Sequence, residues 1–209
     1  MDIDEFLGLY RSQRASAILR TSNVDLAREA MRAAVRGGFR VIEFTLSIPG
    51  AVDLIAEFSR DSNLVVGAGT VLTVEEARAT VAAGAKFLVA PVIDPAIIAE
   101  AARLGVAMMP GCATPTEMLQ AYRCGAALQK LFPAPGTGPV WVQQTLGPLP
   151  FLRIVPTSGV TLENAAAYLK AGAFAVGFVN SLFEPADVKA GRWDVIEARA
   201  KAMLDAVKS

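Results

Sequence analysis

Short apolar runs alternate along the chain with longer stretches whose apolar positions recur at helical spacing. Five times the changeover is marked by glycine: Arg36-Gly37-Gly38-Phe39, Ala83-Gly84-Ala85-Lys86, Leu104-Gly105-Val106, Cys124-Gly125-Ala126 and Ala171-Gly172-Ala173. Glycine ends a helix at low cost because the position just past the end needs φ > 0. The runs that follow read as strands: Val41 to Leu46, Leu64 to Gly69, Phe87 to Ala90, Val106 to Met109, Ala126 to Phe132, Leu152 to Val155 and Phe174 to Val179, with Ala15 to Arg20 ahead of them. Most are short and apolar on both faces, as parallel strands are when helices cover one side and a core fills the other.

Eight strands with roughly 20 to 25 residues between successive starts match the unit length of a compact strand–helix repeat, and eight such units make an α/β chain into a (β/α)8 TIM barrel. Helix-start signals fall between the strands: Thr21-Ser22-Asn23, Thr73 with Glu76, Asp94-Pro95, Thr114-Pro115 with Glu117, and Thr161 before Leu162-Glu163. The rival is a doubly wound open sheet, which would carry a polar edge strand. The chain has none, and no low-complexity linker divides it, so residues 1–209 are expected to form one barrel domain.

Composition narrows the chemistry. Over 209 residues, twenty Lys plus Arg balance twenty Asp plus Glu, so the positive field that draws a protein to nucleic acid or an anionic membrane is missing. There is no histidine, which removes Ser-His-Asp and Cys-His mechanisms and the commonest ligand of catalytic zinc. Cys112 and Cys124 match no zinc or CxxC spacing and read as reduced thiols. The start of the chain is acidic where a secretory signal would be basic, and no apolar run reaches membrane-spanning length. The expectation is a soluble cytoplasmic protein whose chemistry uses lysine, carboxylate, hydroxyl or thiol.

In a barrel of this kind, polar residues at strand C-termini face the active-site mouth. Lys130 sits late in its strand in alternation with Leu128 and Phe132, so its ammonium is desolvated; a lowered lysine pKa frees the lone pair that attacks a ketone. Lys86 precedes its strand, and Lys170, Lys189, Lys201 and Lys208 fall on helices or near the tail. Glu43 shares one strand face with Val41 and Thr45, while Ile42, Phe44 and Leu46 form the other. Pointing inward, Glu43 is either the partner of Lys130 in a buried salt bridge or a carboxylate of raised pKa that moves protons beside a Schiff base. Arg20 closes the first strand, where its fork suits a carboxylate or phosphate or else bonds loop carbonyls. Gly67-Ala68-Gly69-Thr70 and Pro110-Gly111-Cys112-Ala113-Thr114 end strands three and five; Cys112 without a histidine base reads as a packed thiol. Pro156-Thr157-Ser158-Gly159 and the stretch through Asn180 end strands seven and eight, where this fold commonly binds phosphate.

Taken together, Ile18-Leu19-Arg20, Gly37 to Leu46, Gly67 to Leu72, Pro110 to Thr114, Lys130-Leu131-Phe132-Pro133 and Pro156 to Gly159 run in the order of a known family. The chain resembles the 2-keto-3-deoxy-6-phosphogluconate and 4-hydroxy-2-oxoglutarate aldolases over nearly its whole length. The resemblance implies a class I, pyruvate-forming carbon–carbon lyase that cleaves a 2-keto-3-deoxy-6-phospho sugar acid to pyruvate and glyceraldehyde 3-phosphate. Lys130 would form the Schiff base, Glu43 would move protons, and no metal or cofactor would be needed. Arg20, helped by Thr70, is expected at the substrate carboxylate; Thr157, Ser158, Gly159 and Asn180 are expected at the distal, phosphate end. A homotrimer is implied as well. Two departures stand out: Ser47 replaces an arginine found in many phosphogluconate-type members, leaving Arg20 to supply the guanidinium as in the phosphogalactonate-like branch, and Ser158-Gly159 and Val179-Asn180 replace paired glycine and Gly-Ser. The alternatives are an aldolase or decarboxylase for unphosphorylated 2-keto acids, such as 4-hydroxy-2-oxoglutarate or oxaloacetate, and a non-catalytic metabolite-binding barrel.

Overall fold

The computed structural model describes residues 1–208, in which parallel strands alternate with helices around a nearly closed (β/α)8 barrel. The strands are β1 (Ala15–Leu19), β2 (Val41–Thr45), β3 (Val65–Gly69), β4 (Phe87–Ala90), β5 (Ala107–Cys112), β6 (Gln129–Leu131), β7 (Ile154–Pro156) and β8 (Val176–Phe178). The helices are α1 (Ile3–Gln13), α2 (Val24–Arg36), α3 (Ala51–Phe58), α4 (Val74–Ala82), α5 (Pro95–Arg103), α6 (Pro115–Arg123), α7 (Pro139–Leu146), α8 (Ala165–Lys170), α9 (Pro185–Ala190) and α10 (Trp193–Lys208). Sheet order is β7-β6-β5-β4-β3-β2-β1-β8, and β8 curls round to β7, where the Phe174 N–H donates to the Ile154 carbonyl at 2.8 Å. That closure rules out the doubly wound rival.

The punctuation works as its chemistry requires. Gly38, Gly84, Gly105, Gly125 and Gly172 all take positive φ at the helix-to-strand changeovers. Thr73 with Glu76 and Thr114 with Glu117 form reciprocal capping boxes, and the Asn23 and Asp94 side chains accept from first-turn N–H groups. Seven of the eight strands differ from the expected bounds at one end or both, the sixth shortening from 126–132 to Gln129–Leu131, and two boundary differences, one of a strand and one of a helix, have a visible cause. The fifth strand runs on through Pro110-Gly111-Cys112, because Gly111 lets it pass under Pro91, whose carbonyl any side chain there would strike. Regular α8 begins at Ala165 rather than just after Thr161; Asn164 Oδ1 accepts the Thr161 N–H across an irregular turn.

The barrel interior is filled from its lower end. Phe6, Leu7 and Tyr10 of α1 pack with Val41, Val65, Phe87, Met109, Leu128 and Val155, and the Phe6 and Phe87 rings stack at 4.9 Å. Phe87 lies across Gly67, where a Cβ would collide with its ring. This plug fills the barrel below the polar groups of the strands' C-terminal ends. No helix among the described residues is long and apolar enough to cross a membrane.

Candidate active site

Strand alternation carries functional groups above the apolar plug. On β2, Val41 belongs to the plug and Thr45 to the wall of a cavity above it, so Glu43 lies between them. After the same manner Leu128 lies below Lys130, and Phe132 lies above it in the cavity wall. The cavity holds about 330 Å³. Its wall takes Ile18 and Arg20 from the end of β1, Thr45 from β2, Lys130 and Phe132 from the end of β6, residues 157–161 from the turn after β7 and residues 179–181 from the turn after β8.

Glu43 is 1% exposed, and neither carboxylate oxygen has a hydrogen-bond partner. Its carboxylate lies across Gly69, where a Cβ would collide with it. Burial raises the Glu43 pKa, while the charges of Lys130 and Arg20 pull it down. Burial lowers the Lys130 pKa; Glu43 opposes that effect and Arg20 adds to it. The Lys130 ammonium also stands 4.9 Å from the centroid of the Phe132 ring. The pair is therefore coupled through space without the hydrogen bond that a buried salt bridge would form. A carboxyl group kept dry and unpartnered costs stability.

Most of the expected groups converge: Lys130, Arg20, Thr157, Ser158, Gly159 and Asn180 share the cavity wall, and Glu43 lies beneath. Thr70 does not join them. It is half-buried at the end of β3, outside the wall, with φ 60. Ser158 is also left-handed, at φ 53. Such backbone costs of order 1–3 kcal/mol for a side-chain-bearing residue and collects at functional sites. The wall hydroxyl on the Glu43 side is Thr45, which went unassigned although it alternates with Glu43 on the same face. Cys112 is buried, with its thiol pushed up to about 12 by burial and directed to the Pro110 carbonyl at 3.6 Å. Lys86 is exposed.

A larger cavity of about 700 Å³ opens at the opposite end, beside the α1 plug, with Arg11, Arg14 and Lys170 in its wall. These cations stand at the C-terminal ends of α1 and α8, where positive charge complements the helix dipoles. The smaller cavity combines a buried lysine and a guanidinium in its wall with a buried carboxyl beneath it.

The model of the "KDPG and KHG aldolase" family matches residues 8–199. The chain is 36% identical over 158 residues, 75% of each protein, to a 2-dehydro-3-deoxy-phosphogluconate aldolase of Treponema pallidum (strain Nichols). It is 33% identical over 175 residues to the 2-dehydro-3-deoxy-6-phosphogalactonate aldolase of Escherichia coli (strain K12), covering 80% of this chain and 83% of that one. Among solved structures, the KDPG aldolase of Legionella pneumophila, with pyruvate captured as a covalent carbinolamine, superposes with a TM-score of 0.78 at 26% identity, over 91% of this chain and 95% of that one. The chain belongs to the KDPG and KHG aldolase family and is a carbon–carbon lyase.

Proposed function

We propose that the chain is a class I aldolase that forms pyruvate from a 2-keto-3-deoxy-6-phospho sugar acid, releasing glyceraldehyde 3-phosphate. The observation that carries this reading is the burial of Lys130 and an unpartnered Glu43 beneath one cavity with Arg20 in its wall. The lowered pKa supplies neutral amine, whose lone pair adds to the C2 carbonyl carbon; loss of water, with one proton taken up from solvent and given back when the imine is later hydrolysed, gives a protonated imine. Glu43 as carboxylate takes the proton of the C4 hydroxyl, the C3–C4 bond breaks into the imine as electron sink, and the aldehyde leaves. Glu43, now protonated, returns the proton to C3 of the enamine, and water releases pyruvate and restores Lys130. Its raised pKa suits it to hold the proton between those two steps. The covalent pyruvate of the Legionella relative supports the lysine chemistry.

Arg20 contributes the fork that holds the substrate carboxylate, the one anion common to every candidate substrate. Thr70, half-buried and outside the wall, is a weaker helper than its strand-end position implied. Arg20→Met should weaken pyruvate itself by roughly 10- to 100-fold, the value of a charge-assisted hydrogen bond. The check is the pyruvate concentration that half-saturates borohydride trapping. Loss confined to phosphorylated substrates would assign Arg20 to the phosphate end instead.

The distal wall of Thr157, Ser158, Gly159 and Asn180 is the proposed phosphate end. Val179 stands in that wall and opens a turn in which its carbonyl accepts the Leu182 and Phe183 N–H groups at 3.1 and 2.9 Å. Its branched side chain obstructs approach to backbone donors that glycine would expose. Val179→Gly should therefore raise the preference for phosphorylated substrate by about tenfold or more. The measurement is kcat/KM for the 6-phosphogluconate-derived keto acid, its galactonate epimer, their unphosphorylated forms and 4-hydroxy-2-oxoglutarate. A native phosphate preference that is already large, and unchanged by glycine, would show that Val179 is no obstacle. A second reading, cleavage of 4-hydroxy-2-oxoglutarate or decarboxylation of oxaloacetate, rests on the absence of a cationic side chain at the distal end of the wall. A silent binding barrel is disfavoured by the cost of keeping Lys130 and Glu43 buried. The proposal further comprises one barrel domain over residues 1–209, side-chain chemistry alone, a homotrimeric assembly in the cytoplasm, and no dealings with nucleic acid.

A further inference from the structure

We infer that Thr45, supported by Ser47, is a positioning residue that fixes the end of β1 and thereby aims Arg20 at the substrate carboxylate. The inference rests on the reading of Arg20 given above. Regular β1 stops at Leu19, one residue before Arg20, in register with Phe44 of β2. Beyond that point the Thr45 hydroxyl extends the ladder, donating to the Leu19 carbonyl at 3.2 Å. This bond holds the peptide group that joins Leu19 to Arg20. Thr45 is 2% exposed, and it shares the cavity wall with Arg20.

The hydroxyl pair has a single consistent polarity. A carbonyl only accepts, so Thr45 spends its one proton on Leu19, and the 2.8 Å contact between Thr45 Oγ1 and Ser47 Oγ must be donated by Ser47. Thr45 then offers the cavity an acceptor and no donor. A carboxylate gains nothing from it and is left to the Arg20 fork, so the same two hydroxyls steer the substrate twice: by holding the arginine's backbone and by refusing the anion a second seat. Ser47 can serve this way because it is short; a long cationic side chain at that position would itself reach for the anion.

The test is a double-mutant cycle on the intact enzyme. Thr45→Val keeps the shape of the side chain and removes both donor and acceptor. It should raise KM, and the half-saturating pyruvate concentration in borohydride trapping, roughly three- to tenfold, the range of one net hydrogen bond. The maximal rate should stay within about twofold, because neither Lys130 nor Glu43 is disturbed. Thr45→Ser should restore the native KM, and Ser47→Ala, at an exposed site that folding tolerates, should give a smaller rise in the same direction. In an Arg20→Met background, Thr45→Val and Ser47→Ala should change KM no further. An equal rise in that background would overturn the inference while leaving the role of Arg20 standing, as would a loss of kcat at unchanged KM. If Arg20→Met alone leaves pyruvate binding unaltered, the carboxylate reading falls and takes this inference with it.

Discussion

Replacing Lys130 with methionine is expected to abolish cleavage, on the order of 10⁴- to 10⁶-fold in kcat, the scale seen when a covalent nucleophile is removed. Incubation of the native chain with pyruvate and borohydride should fix one reduced adduct, and peptide mapping should find it on Lys130. The five other lysines cannot substitute. Lys86 is exposed ahead of β4, and Lys170, Lys189, Lys201 and Lys208 lie on the outer helices α8, α9 and α10. A label on any of these, or cleavage without a label, would sink the Schiff-base assignment. The same variant should be more stable than the native chain near neutral pH, by about 1–2 kcal/mol, the usual scale when a costly functional group is removed. The sign follows from the lowered Lys130 pKa. Between that value and its ordinary 10.5, the unfolded chain binds the proton that the folded chain has released, so native stability climbs as pH rises through the window. The methionine variant should lack this climb in denaturant titrations, while its Glu43, no longer facing an ammonium, stays protonated to higher pH.

Period-two alternation made the buried pair Glu43 and Lys130 legible. On β2 it separates an outward apolar series from an inward one, and Glu43 on β2 and Lys130 on β6 each interrupt an inward series that begins with a plug residue. The same alternation would have marked Thr45, but a threonine next to an ionisable group draws no attention until its hydroxyl is seen bonded to the Leu19 carbonyl. Thr70 shows the converse. Its place at the end of β3 gives its height in the barrel, but the turn to φ 60 decides its direction, and sequence carries no sign of a left-handed threonine. The repeat was legible because four of its units close locally: α2, α4, α5 and α6 each have a side-chain N-cap before them and a glycine of positive φ just after them. The α1 plug was not read, since it precedes the first repeat. Its signal was present in Asp2 and Glu5, which form a capping box, and in the Phe6, Leu7 and Tyr10 stripe that follows.

Glu43→Gln is expected to cut solvent exchange of the pyruvate methyl protons by 10²- to 10⁴-fold, the contribution of a positioned general acid or base. Exchange isolates the enamine proton transfer from aldehyde chemistry and is followed by NMR in deuterated buffer. Lys130 should still be trapped by pyruvate and borohydride in this variant, because the amine adds without help from Glu43 once it is neutral. Its pH dependence should move in a defined direction. Glu43 supports the Lys130 ammonium, so its removal lowers the Lys130 pKa further and shifts the acid limb of trapping to lower pH. Stability gives an independent readout. As pH rises above the ordinary glutamate value of 4.5, an unfolded chain gives up the proton that folded Glu43 retains, so native stability falls until the raised folded pKa is passed and then levels. The amide cannot ionise, so the variant should lose that decline and gain on the native chain across the window. The amide keeps the shape of the carboxyl and brings no charge to desolvate, and folding should survive. Full proton exchange in Glu43→Gln would reduce the carboxyl to an electrostatic neighbour of Lys130.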